Sequence, residues 1–169
     1  MVGDILISRI HNFPTMKNTK SAFNWIISIL QKHKLPYRIS GGFAARIYGS
    51  KRKLSDIDID TIDMALNKVL PDVQKYALHN PNRYKGREWD CYYLGLRYKG
   101  QEIGLMGVNH AKIFDKTKQK WIRYKVDFSK VSKKKVYGKI VNIISKEDLI
   151  NYKQKIRRRV DIRDVREIS

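Results

Sequence analysis

Acidic residues are scarce in this chain: 16 Asp and Glu stand against 36 Lys and Arg, a formal net charge of +20. A surface with that imbalance repels cations and draws polyanions, with binding that weakens steeply as salt rises. Cysteine is nearly absent. The lone Cys91 excludes an internal disulfide and fits a reducing compartment, and its neighbours Trp89, Tyr92 and Tyr93 read as a core strand rather than the surroundings of a nucleophile. The four histidines, His11, His33, His79 and His110, show no metal-ligand spacing. No apolar run approaches the length of a membrane span, and the N-terminus lacks the basic-then-apolar plan of a signal peptide. The expectation is a soluble, cytoplasmic protein with no membrane partner. A chain of 169 residues, 42% of them hydrophobic, suits one core. One domain over 1–169 is expected, ending in a helical segment at 146–168.

Periodicity supplies a coarse map. A short apolar run, Ile5–Ile10, is strand-like or a helical turn. Phe23, Ile26, Ile27 and Leu30 recur at helical spacing within an amphipathic helix over Thr19–His33. Tyr37–Ser40 reads as a strand running into Gly41-Gly42, Phe43–Tyr48 as a short helix, and Asp56–Ile62 as a second strand. Ala65–Leu78 is expected to be helical, with Pro71 forcing a break or a fresh start. Asn80-Pro81-Asn82 reads as a turn. Trp89–Tyr98 and Glu102–Val108 form strands around a hairpin turn at Lys99-Gly100-Gln101. Lys112–Phe114, Trp121–Phe128 and Val136–Ile144 are further strand candidates. Ser145 caps a helix over Glu147–Arg158 that carries acids in its first turn, and Asp161–Ile168 is a last helix.

The chemistry is concentrated between residues 39 and 60. Asp56 and Asp58 alternate with isoleucines, so in a strand both project to one face, about 7 Å apart by the strand rise. Side-chain flexibility lets both reach one hard cation, and Mg²⁺ takes oxygen ligands while keeping room for substrate phosphates. The preceding Ser40-Gly41-Gly42 would let a phosphate approach backbone N–H groups. Without a ligand, three aspartates alternating with isoleucines would cost stability.

A glycine pair, a spacer over residues 43–55, a Gly49-Ser50-Lys51-Arg52 stretch, Ser55 and then Asp56-Ile57-Asp58 resemble, in order, the nucleotidyltransferase superfamily related to DNA polymerase β. The wording is similar to the branch holding antibiotic nucleotidyltransferases and the nucleotidyltransferase toxins of abortive-infection and toxin–antitoxin systems. The resemblance implies an α/β (α+β) fold with a mixed sheet flanked by helices. It implies Mg²⁺ (or Mn²⁺) on Asp56 and Asp58, and a nucleoside triphosphate seated at Ser40, Gly41 and Gly42. A third carboxylate is usual on the neighbouring strand; here Gly104 stands where it is expected, leaving Glu102 and Asp127 as candidates and Asp90 as a weaker one. The stretch from Asp148 to Val165 is also similar to that branch, which implies that Lys153 lies near the nucleotide phosphates while Asp161 and Asp164 pair with arginines. The basic runs Lys51–Lys53, Lys133–Lys135 and Arg157–Arg159 form either one phosphate track or three solvated loops. The expected activity is nucleotidyl transfer to an acceptor hydroxyl, with RNA, tRNA included, favoured by the charge. The alternatives are a non-catalytic nucleic-acid-binding protein of the same fold and an enzyme transferring AMP to a protein.

Overall fold

The structure, a computed structural model, describes residues 17–169; the run at Ile5–Ile10 lies outside them. The chain begins with α1 (Thr19–Lys32), whose N-cap Asn18 accepts from the Ser21 N–H at 3.0 Å. Phe23, Ile26, Ile27 and Leu30 are fully buried, so the helical spacing seen in the sequence is the core face. Then come β1 (Tyr37–Ser40), α2 (Gly41–Ile47), β2 (Asp56–Thr61) and α3 (Asp63–Val73). β3 (Asn82–Lys85), β4 (Trp89–Tyr98), β5 (Gln101–Asp115) and β6 (Lys120–Arg123) follow, then β7 (Ser132–Val136), β8 (Lys139–Ile143), α4 (Lys146–Ile156) and α5 (Arg159–Ile168).

The strands form one mixed sheet in the order β3-β4-β5-β2-β1-β8-β7, with β6 pairing β5. β2 runs antiparallel to β1 and parallel to β5, and β8 runs parallel to β1. The α+β fold and mixed sheet expected from the sequence are therefore present. β2 sits centrally, and its alternation is used on both faces. Ile57 and Ile59 are fully buried on one side. On the other, Asp56 and Asp58 share a cleft with Tyr152 of α4 and Arg158 at the start of α5.

Several element expectations need correction. Pro71 does not break α3; it falls in the last turn, where the carbonyl it leaves without a donor belongs to exposed Asn67, and the chain passes into a 3-10 turn only at Gln74. Lys112–Phe114 is no separate strand but the far half of a 15-residue β5. β6 stops at Arg123, and Phe128 opens a 3-10 turn. Val136–Ile144 is a hairpin, not one strand, because Tyr137 and Gly138 both take positive φ (48° and 84°) and reverse the chain. β3 and β7 escaped sequence reading for a shared reason: both are edge strands, with residues 82–85 and 133–135 all exposed, so neither shows the apolar alternation of a strand covered by the core. The lysine run in β7 thus places charge on a sheet edge.

A buried polar cluster joins β1 to β2. Arg38 and Asp60 are register partners, and both are 1% exposed. Asp60 accepts from Arg38 Nε at 2.9 Å, from the Tyr124 hydroxyl at 2.9 Å and from Ser40 Oγ at 3.0 Å. Arg38 also donates to Tyr124 and to Asp148. Three donors meet the Asp60 carboxylate, one of them a charged guanidinium, which is what allows a carboxylate at this depth. Arg38→Met should cost about 3–5 kcal/mol, since it strands a buried charge. Tyr124→Phe should cost only about 1–3 kcal/mol, as it removes a single hydroxyl. Urea denaturation of both variants checks that order.

Candidate active site

The cleft over β2 has a volume of about 480 Å³ and gathers Gly41, Gly42, Arg52, Asp56, Asp58 and Arg158. Its floor follows from strand geometry. In the parallel β2–β5 pair, Asp56 lies opposite Glu102, Asp58 opposite Gly104 and Asp60 opposite Met106. The three aspartates share one face and all border the cleft, but Asp60 is held by Arg38, whereas Asp56 and Asp58 have no cation partner among the described residues. Burial, then the charges of Asp56 and Asp60, push the Asp58 carboxyl up to about 7, against the pull of Arg158 and Lys153.

The glycine pair earns its place through close approach. Gly41 has φ +62°, and a Cβ there would fall on the Asp58 carboxylate, 2.9 Å from its Cγ. A Cβ on Gly42 would lie 3.1 Å from Arg52 Cζ and nearer still to Nη2. The small residues thus make room for one carboxylate and one guanidinium. Two polar groups expected to meet a nucleotide already have partners: Gly41 N–H donates to the Tyr152 hydroxyl at 3.0 Å, and Ser40 Oγ donates to Asp60.

Lys153 also departs from expectation. Its ammonium is 1% exposed and lies 2.8 Å from Asp161 and 3.0 Å from Asp164, and it does not line the cleft. The cations that do line it are Arg52 and Arg158. Arg52 donates to both Asp164 oxygens, at 3.0 and 2.9 Å, and Arg158 donates to Asp161 through Nε at 2.7 Å. The expected pairing of Asp161 and Asp164 with arginines is present. Burial opposes ionisation of both acids, but the arginines and Lys153 outweigh it and hold both below the usual carboxylate range. Arg52 is legible in the sequence within the Gly49-Ser50-Lys51-Arg52 stretch and a basic run, and Arg158 only within a basic run; nothing in their spacing shows that Asp164 and Asp161 aim them at the cleft.

None of the three candidate acids completes the pair. Glu102 has the right strand parity, but it is half exposed and its carboxylate meets Arg97 directly across the β4–β5 ladder at 2.5 Å. Asp127 caps the 3-10 turn, accepting from Ser129 N–H and Oγ, and does not line the cleft. Asp90 is held by both arms of Arg83 at 2.7 and 2.6 Å. Over Gly104 stands Tyr93 of β4 instead; a Cβ at 104 would be 2.7 Å from its hydroxyl. Burial, then Asp58 and Asp56, push the Tyr93 phenol above its usual range. Cys91 also borders the cleft, its thiol pushed up to about 12 chiefly by burial, which keeps it protonated and inert as the sequence reading expected.

Among the described residues, no group of three or more His, Cys, Asp or Glu gathers as a metal site. The pair Asp56 and Asp58 still fits a hard divalent cation: both donors are carboxylate oxygens, and the burial and neighbouring negative charge that raise the Asp58 carboxyl are both offset by a bound cation.

No protein-family model matches the chain, and no curated protein does. Solved structures do. The chain is similar to the lincosamide antibiotic adenylyltransferase LnuA in its lincomycin-bound form, with a TM-score of 0.58 and 15% identity over 90% of this chain and 98% of that one. It is similar to an antigenic nucleotidyltransferase-like protein from Paracoccidioides brasiliensis, with a TM-score of 0.56 and 17% identity over 88% and 74%. It is also similar to ANT(2")-Ia in complex with adenylyl-2"-tobramycin, with a TM-score of 0.55 and 14% identity over 90% and 88%. The chain has the nucleotidyltransferase fold. Among the described residues, no helix is long and apolar enough to cross a membrane.

The Asp58 carboxyl carries a stability consequence. Its value in the folded chain, about 7, lies above the ordinary 3.8, so between those pH values the folded state binds more protons than the unfolded one. Stability therefore falls as pH rises through that window in the absence of a divalent cation. Asp58→Asn should raise the thermal midpoint at pH 8 and change it little at pH 4, as scanning calorimetry in chelator would show. Gly41→Ala should instead lower stability at every pH, since its methyl group collides with Asp58 at either protonation state.

Proposed function

We propose that the chain is a divalent-cation-dependent nucleotidyltransferase that moves a nucleotide from a nucleoside triphosphate to a hydroxyl on RNA. One observation carries this reading. A two-carboxylate face on the central strand opens into the same cleft as two arginines, each braced by a buried aspartate. Asp56 and Asp58 would hold Mg²⁺ or Mn²⁺, which when bound would offset triphosphate charge and polarise the α-phosphate. Arg52 and Arg158 would draw and orient the β- and γ-phosphates in a fixed geometry, since their salt bridges restrict the guanidinium planes. The acceptor oxygen then bonds to the α-phosphorus, the Pα–O–Pβ bond breaks, and pyrophosphate leaves with the hydroxyl proton released.

The acceptor is argued from charge. Lincomycin is bound in the LnuA structure and adenylyl-2"-tobramycin in the ANT(2")-Ia structure. A polycationic aminoglycoside suits a chain of net charge +20 poorly, whereas RNA suits it well. Lys51, Lys53 and Arg159 are exposed close in sequence to the two cleft arginines, and would extend the positive surface outward. Lys133–Lys135 lie on the edge strand β7, where alternation turns Lys134 away from Lys133 and Lys135 and its ammonium lies 5.7 Å from the centre of the Tyr48 ring. A toxin role in a defence or toxin–antitoxin system follows from the family resemblance alone. The absence of a carboxylate at position 104 favours the second reading, a nucleic-acid-binding protein of this fold that no longer transfers.

Incubation with each labelled nucleoside triphosphate, Mg²⁺ and total RNA should label RNA. Asp58→Asn should reduce the label by a factor on the order of 100 or more. Label on protein instead would support AMP transfer to a protein, and no label on any acceptor would support the second reading. RNA affinity should fall steeply with salt, and Lys51→Gln, Lys53→Gln and Arg159→Gln together should flatten the log–log slope by roughly 2.

A further inference from the structure

The hydroxyl of Tyr93 lies in the cleft on the strand next to β5. Tyr93 lies on β4 opposite Met106, and Gly95 lies opposite Gly104, so Tyr93 and Gly104 are diagonal neighbours on the β4–β5 ladder. An aromatic side chain can reach a diagonal neighbour, and here it lies directly over it. A Cβ at Gly104 would stand 2.7 Å from the phenol oxygen and 2.9 Å from Cε2, so glycine here is what lets the ring lie across the strand. Gly104 is also the register partner of Asp58, which brings the phenol beside the carboxylate pair.

The ring is packed by two other rings. His79 stacks on it at 5.7 Å between ring centres, and Tyr84 packs against it at 6.0 Å. His79 is itself fixed, accepting from Gly95 N–H at 3.2 Å and meeting the Asn80 carbonyl through its other ring nitrogen. The hydroxyl at the end of this braced ring makes no hydrogen bond to any described residue, and it points into the cleft. A rigid, unpartnered donor beside two carboxylates is placed for an anion that arrives with its own cation.

We propose that Tyr93 is a ligand-contacting residue whose hydroxyl donates to a phosphate oxygen of the bound triphosphate, and that Gly104 is glycine in order to admit it. This rests on the triphosphate reading of the cleft given above. It also explains the missing acid: the space beside Asp58 on β5 is filled by a neutral donor, so the cleft has two carboxylates and one phenol, with no room for a third carboxylate at that position.

The test is calorimetric binding of α,β-imido analogues of ATP, GTP, CTP and UTP with Mn²⁺, using the tightest of the four. Tyr93→Phe keeps the ring and its stacking and should weaken binding about tenfold, the effect of one hydrogen bond to a charged group. Gly104→Ala should push the phenol aside and weaken binding by a similar factor, and the double variant should be no weaker than either single one, because both remove the same contact. Analogue affinity unchanged in Tyr93→Phe overturns the proposal, as do effects that add in full. So does an equal loss of Mn²⁺ affinity without nucleotide, which would mean that the hydroxyl serves the carboxylates. If the native protein labels RNA while Tyr93→Phe binds normally, the phosphate contact falls and the transferase reading stands. If Tyr93→Phe weakens binding but nothing is ever labelled, the contact stands and the transferase reading falls. A native protein that binds no analogue overturns both.

Discussion

Three carboxylates on one face of a central strand repel one another, and the arrangement of this protein follows from how that repulsion is relieved. Asp60 is relieved internally. Arg38, Ser40 and Tyr124 converge on it, and because Arg38 and Ser40 lie on β1, the same contacts tie β1 to β2. Asp56 and Asp58 have no such partner among the described residues, and burial together with the charges of Asp56 and Asp60 raises the Asp58 carboxyl. The uncompensated pair sits at the mouth of the strand, where a cation and a phosphate chain can reach it. One acid ties the strands together, and the other two face the cleft.

The positive side of the cleft is organised by a second buried cluster. Lys153 lies between Asp161 and Asp164, and each aspartate extends outward to an arginine that lines the cleft. Burying one ammonium between two carboxylates leaves a net negative centre, which then fixes Arg52 and Arg158 by charge-assisted hydrogen bonds. The lysine acts at one remove: it sustains the acids that aim the arginines. Gly42 belongs to the same device, because a side chain there would collide with the Arg52 guanidinium.

The legible parts of the fold were those where burial follows a simple period. The face of α1, the Asp–Ile alternation of β2, the β4–β5 hairpin and the Ser145 cap were all readable, since each is a local pattern with one physical reading. The misreadings had a common cause in the surroundings. β7 is a strand because β8 lies beside it, not because Lys-Lys-Lys favours a strand. α3 runs through Pro71 because the carbonyl that loses its donor belongs to an exposed turn. Glu102 has the parity of a site residue, yet a cross-strand arginine takes it away. Parity says which face a side chain leaves from and nothing about what meets it there.

The amino-acid sequence by itself determined that Asp56 and Asp58 share a face, that glycines precede them, and that the surface is strongly basic, because strand alternation and charge counting need no knowledge of distant contacts. It could not decide which charges are free. Asp60 matches its two neighbours in every local respect, and Lys153 looks no different from exposed lysines around it. Only the tertiary structure, by bringing Arg38 and Tyr124 to the first and Asp161 and Asp164 to the second, made them internal supports. Pairing between ionised groups depends on separations of a few ångströms across the fold, and those separations are set by packing between segments as much as 112 residues apart in sequence.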